Sequence, residues 1–218
     1  MGYFGTPKLV GLLSVAQVIA TMPSAEFGAA INRAPYPGYA NTERNIPRLR
    51  AMFLTVLGKT SLIALPTGIG IYLLSFEISH FLLGPGWVST QRVLELVALS
   101  SIFTALSTNQ HYIYMALGKP KLTTFLGIFG FVLFFAMLIP LVTQRSLVGA
   151  AEAILYTSII YLPVALIVTK RLLSFAISDY FKVTKYHAVS SLFMASELSF
   201  INVNGQYIFV KPSVVNVI

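Results

Sequence analysis

Six side chains stand out because their chemistry does not match their surroundings. Glu26, Glu95, Glu152 and the run Asn109-Gln110-His111 lie within stretches that are otherwise apolar. A charge at the centre of a membrane span costs about 2.5–3.5 kcal/mol on insertion scales, so such groups usually face a bundle interior or a water-filled cavity. Glu95 and Asn109 fall on nearly one face of a helix, with Leu99, Ile102 and Leu106 filling the stripe between them. Two readings follow. Either these groups line a hydrophilic cavity that handles a polar or charged head group, or they bond across helices as packing glue. The burial cost favours the cavity for Glu26, whereas Asn109 and Gln110 are of the kind that commonly serves assembly. Glu95 and Glu152 fall near predicted span ends, where a carboxylate stays solvated, and His111 reads as an interfacial anchor. Arg33 closes the first apolar stretch, where it either attracts lipid phosphate or belongs to a topology signal.

Other chemistries find no residues to carry them. There is no glycine-rich phosphate loop, no HExxH and no G-x-S-x-G. His80, His111 and His187 are scattered without metal-ligand spacing, Asp179 is the sole aspartate, and cysteine is absent. The expectation is a non-enzyme without metal or cofactor. The net charge of +8 in a soluble domain would suggest nucleic acid. Here it fits basic loops flanking a membrane better, and no nucleic-acid partner is expected.

The elements that position these residues are read from hydropathy. Of the 218 residues, 56% are hydrophobic and 10% charged, against roughly 25% charged in soluble domains. Too little polar surface remains to face water. Five stretches reach the roughly 20 apolar residues a crossing needs: Leu9–Ile31, Ala51–Leu74, Val93–Met115, Leu122–Val142 and Leu147–Val168. The fold class is therefore all-α, a polytopic transmembrane bundle of about five spans. A partial sixth is expected over Ala188–Val203, which contains Glu197. Pro23, Pro66, Gly68 and Gly70 lie inside spans and are hinge candidates. Connectors carry breakers: Pro35-Tyr36-Pro37-Gly38, Gly84-Pro85-Gly86 and Gly118-Lys119-Pro120. Arg33, Arg44, Arg48, Arg50, Lys119, Lys121, Lys170, Arg171, Lys182 and Lys185 fall on one side, opposite Lys8, Arg92 and Arg145. The richer side is expected to be cytoplasmic.

Several short runs carry a resemblance. Gly2-Tyr3-Phe4-Gly5, Met22-Pro23, Ile31-Asn32-Arg33-Ala34-Pro35-Tyr36-Pro37-Gly38-Tyr39-Ala40, Pro66 with Gly68 and Gly70, Leu82-Leu83-Gly84 with Trp87, and Ala116-Leu117-Gly118-Lys119-Pro120-Lys121 occur in this order. Their order and spacing resemble the polysaccharide flippases of the multidrug/oligosaccharidyl-lipid/polysaccharide exporter superfamily, especially the lipopolysaccharide exporter branch. The resemblance implies two pseudo-symmetric helical bundles around a cavity, and alternating access that moves lipid-linked saccharide across the bacterial inner membrane. It implies that this chain is a fragment, with residues 1–194 as a transmembrane bundle corresponding to most of the second bundle and 195–218 as a divergent tail, and a missing N-terminal bundle or a second membrane chain as partner. The cavity candidates are Glu26, Arg33, Asn109 and Gln110. The expected partners are the lipid bilayer and a lipid-linked saccharide. The alternatives are a multidrug or cation-coupled exporter, with Glu26 as the coupling carboxylate, a membrane-embedded polymerase or acyltransferase of envelope synthesis, and a non-transporting assembly subunit.

Overall fold

A computed structural model describes residues 7–33, 36–42, 45–82, 84, 87 and 90–203. The described residues form helices and no strand: α1 (Pro7–Arg33), α2 (Tyr36–Asn41), α3 (Ile46–Leu73), α4 (Ser75–Glu77) with a wide π-type turn at Ile78–Leu82, α5 (Gln91–Ala116), α6 (Pro120–Leu173) and α7 (Ile177–Val203). All five stretches read from hydropathy are helical, Leu74 alone lying one residue past α3. The sixth is the distal part of α7, which runs through Met194 to Val203. Residues 204–218, most of the expected tail, lie outside the described residues.

Two helices, α3 and α6, are long and apolar enough to cross a membrane by length and composition. A straight helix of 54 residues would extend about 81 Å at 1.5 Å per residue, far beyond a bilayer core of about 30 Å. The chain resolves this at Ser146, whose backbone is non-helical at φ 51° and ψ −122°. The segments 120–145 and 147–173 are therefore two legs that fold back on one another. At the bend a Cβ added to Gly149 would stand 2.0 Å from the Leu141 carbonyl oxygen, and farther along Gly130 abuts the Tyr161 ring. Only a residue without a side chain permits the closer of these approaches.

Burial runs opposite to the pattern of a water-soluble protein. The most apolar window of α6 has a mean hydropathy of 2.7 and is 11% buried, while that of α3 has 1.4 and is 39% buried. Phe125, Ile128, Val132, Phe135 and Ile139 project outward from the first leg, and Ile159, Ile160 and Ile167 from the second. The interior is given instead to α5, which packs against α1, α3 and α6 and buries Ser100, Ser101, Asn109 and Gln110. A polar helix inside and a greasy one outside is the arrangement lipid selects. Small residues bring the central helices close: Ala16 and Ala20 of α1 join Ala98 of α5 and Ala150, Ala151 and Ala153 of α6 in one buried cluster. A second cluster gathers Tyr39, Leu49, Phe53, Leu57, Leu106 and Ile113 at the other end. The fifth major helix, α7, lies parallel to α3, with Val183 beside Gly58 and Met194 beside Gly70.

Candidate functional site

The sequence-derived candidates meet different neighbours. Asn109 is fully buried; its amide donates to the Phe53 carbonyl of α3 at 3.2 Å and accepts from the Tyr39 hydroxyl at 3.3 Å. Burial pushes the Tyr39 phenol above its ordinary value, because the ionised form loses its hydration. Gln110 is equally enclosed, yet neither end of its amide finds a partner among the described residues. Glu26 and Arg33 lie in α1, but their side chains, like all of Arg44, lie outside the described residues, as does any patch shared by Glu26 and Asn109.

The helices run continuously through Pro23 and Pro66. Gly68 is where α3 meets α5 most closely, since a Cβ there would stand 2.3 Å from Ile102 Cγ1. The Gly70 carbonyl accepts from Leu74 N–H and closes the end of α3.

The carboxylates Glu95 and Glu152 gather at the opposite end of the bundle from Arg48 and Arg50. Glu95 accepts from Ser75, Gln91 and Arg92. Glu152, read as a solvated end, is instead buried and paired with Arg145 at 2.7 Å. Arg92 and Arg145 at this end are thus neutralised, while the Lys8 side chain lies outside the described residues. At the other end Arg50 reaches the Ser174 carbonyl at 3.3 Å and Asp179 at 3.9 Å. There Arg48, Lys119, Lys121, Lys170 and Arg171 form no ion pair among the described residues.

A cleft of about 460 Å³ opens between α5 and the two legs of α6. From α5 it takes Thr104, Ser107, Thr108 and His111, from the second leg Ile154, Thr157, Ser158 and Tyr161, and from the first leg Phe134. The two stripes have the same spacing, i, i+3, i+4 and i+7, so each occupies one face of its helix. Because α5 and the second leg run parallel, the stripes confront each other over about 10 Å of rise. Tyr114 closes one end by donating to the Ala165 carbonyl at 2.9 Å, with Thr169 Oγ1 2.7 Å away.

The hydroxyl orientations decide what this cleft offers. Thr104, Ser107, Thr108 and Ser158 each donate to a carbonyl of their own helix, at 2.8–3.0 Å. Their hydrogens are committed, so they present oxygen lone pairs to the cleft. The Thr157 hydroxyl is buried and has no partner among the described residues. The site is rich in acceptors, carries no carboxylate and has rings at Phe134 and Tyr161. With donors at the His111 ring and the Tyr161 hydroxyl as well, it suits a neutral molecule with many hydroxyls, which both donate and accept.

Of the cleft residues the sequence marks His111 alone, as an interfacial anchor, and singles out neither the hydroxyls of α5 nor Thr157, Ser158 and Tyr161. The shared spacing of the two stripes was the available signal. At the Glu95/Glu152 end Glu77 is also buried, with one carboxylate oxygen unpartnered among the described residues, and nothing in its local sequence marks it.

Among known proteins, residues 1–92 match the model of a family described as polysaccharide biosynthesis protein. No curated protein and no solved structure matches the chain. The matched stretch takes in Pro23, Glu26, Arg33, Pro66, Gly68 and Gly70 and ends at the second residue of α5, before the cleft residues begin.

Proposed function

We propose that the chain is part of a membrane transporter that moves lipid-linked oligosaccharide or polysaccharide units across the bacterial inner (plasma) membrane for envelope polysaccharide synthesis. The observation that carries this reading is the acceptor-lined cleft sunk between α5 and the most lipid-suited helix of the molecule. Hydroxyl-rich saccharide satisfies lone pairs that lipid tails cannot, and the rings of Phe134 and Tyr161 supply the apolar faces on which sugars pack. The similarity of residues 1–92 to a polysaccharide biosynthesis family supports the substrate class. In this reading α1, α3, α5 and the two legs of α6 are five spans, with the Arg48/Arg50 end cytoplasmic. Transport proceeds by rocking of this bundle against another, supplied by an N-terminal bundle or a second membrane chain. Pro23 and the Pro66/Gly68/Gly70 segment are the bending points.

The test is made in the source cell, with the gene and its natural upstream sequence. Deleting it makes lipid-linked saccharide accumulate on the cytoplasmic leaflet, measured by leaflet-specific labelling. Wild type restores export, and the double substitution Thr108→Val with Thr157→Val does not. Normal export in the deletion strain sinks the proposal. A cation-coupled exporter also uses acceptor oxygens, but a cation lacks a counter-charge in this cleft. Drug sensitivity with normal saccharide export would favour that reading.

A further inference from the structure

The two ends of the α5–α6 cleft differ in chemistry. Tyr114 of α5 touches Ala165 and Thr169, which lie 51 and 55 positions later in the chain. Because the two helices run parallel, Thr108 and Tyr161, with nearly the same separation, lie at one level. His111 stands one turn beyond Thr108 on the same face of α5. These three residues line the end of the cleft nearer Tyr114, while Thr104, Ile154 and Phe134 line the end nearer the Ser146 bend.

Each of the three offers something different. The Thr108 hydroxyl donates to the Thr104 carbonyl at 2.9 Å, so its lone pairs remain for a ligand. The His111 ring carries an N–H in every protonation state and makes no hydrogen bond among the described residues. The Tyr161 ring is seated against the first leg of α6 at Gly130, where an added Cβ would stand 3.2 Å from Tyr161 Cδ2. It is thereby held as an apolar wall of the cleft. No lysine, arginine, aspartate or glutamate lines the cleft.

An acceptor, a donor and an apolar ring side by side match the three parts of an N-acetyl group. Its N–H needs the acceptor, its carbonyl the donor and its methyl the ring. A hydroxyl in the same place leaves the ring bare. A carboxylate brings no N–H for Thr108 and finds no fixed counter-charge. Given the transport reading, we propose that the Tyr114 end of the cleft is a subsite for an acetamido group, so that the saccharide moved contains an N-acetylated amino sugar. Thr108 Oγ1 accepts the amide N–H, a ring N–H of His111 donates to the carbonyl, and the methyl lies against the Tyr161 ring. The Tyr161 hydroxyl is left for a neighbouring sugar oxygen. Farther along, the lone pairs of Thr104, Ser107 and Ser158 accept from sugar hydroxyls.

The purified full chain in detergent is titrated with N,N′-diacetylchitobiose and with cellobiose, which has the same linkage and a hydroxyl in place of each acetamido group. Saturation-transfer NMR gives both affinities and the ligand protons in contact. Diacetylchitobiose is expected to bind about tenfold more tightly, the equivalent of one added hydrogen bond, with the strongest transfer to its acetyl methyls. His111→Phe and Thr108→Val are each expected to bring the ratio of the two affinities close to one. The unfolding midpoint shows that each variant is folded, and the wild-type comparison needs no variant. Equal affinity of the wild type for the two disaccharides overturns the subsite and leaves the transport reading in place. Binding of neither overturns both. A preference that survives both substitutions puts the acetyl group elsewhere and also overturns the assignment.

Discussion

Asn109 engages both ends of its amide, one with Phe53 and one with Tyr39, whereas Gln110, the next residue, is as deeply buried with neither end engaged. Their substitutions should therefore differ in sign. Asn109→Leu strands the Tyr39 hydroxyl in a buried place and is expected to cost about 1–3 kcal/mol, seen as a lower unfolding midpoint in detergent. Gln110→Leu removes two unsatisfied groups while keeping most of the volume, and is expected to be neutral or to stabilise by about 1 kcal/mol. A clear loss of stability in Gln110→Leu would mean that its amide has a partner after all. The sequence marked both residues as polar intruders in an apolar run, which is a property of composition. Which of them meets a neighbour depends on how α5 is rotated against α3, and adjacent helical residues point about 100° apart. The same rotation places Thr104, Ser107, Thr108 and His111 on the far side of α5 from Asn109, so the cleft was not legible from α5 alone.

Helices and their ends were legible where hydropathy changes sharply. Leu122–Val142 and Leu147–Val168 are each long enough to span, and the polar residues between them mark a break; the structure bends at Ser146. The short helix α2 was read as a breaker run, because Pro35, Pro37 and Gly38 hide a helix that is stabilised by tertiary contact of Tyr39 with α5. Hydropathy marks only Ala188–Val203, yet the helix starts at Ile177 and its inner face follows α3. The hairpin gives two predictions with opposite signs. Ser146 holds a positive φ of 51°, which glycine adopts without strain, so Ser146→Gly is expected to stabilise by about 1 kcal/mol. Gly149→Ala drives a methyl into the Leu141 carbonyl and should cost about 1–3 kcal/mol or more. Both are measured as shifts in unfolding midpoint. Equal tolerance of the two changes would mean that the legs are not held this closely.

At the scale of the whole molecule, two independent asymmetries agree. Across the bundle, the polar helix α5 is inside and the apolar legs of α6 are outside. Along it, Arg92 and Arg145 at one end are each neutralised by a glutamate, while Arg48, Lys119, Lys121, Lys170 and Arg171 at the other form no ion pair among the described residues. The first asymmetry is compatible with lipid as solvent; in the proposed reading the second sets a direction, because unpaired lysine and arginine in short loops are retained on the cytoplasmic side. The chain has no cysteine, so a single introduced thiol reports one position without background. Lys121→Cys, just after the start of α6, should react with a membrane-impermeant maleimide only after the inner membrane is opened. Gln144→Cys, beside the bend, should react in intact cells once the outer barrier is permeabilised. The opposite pattern would invert the bundle, and reaction of both in intact cells would take these helices out of the membrane.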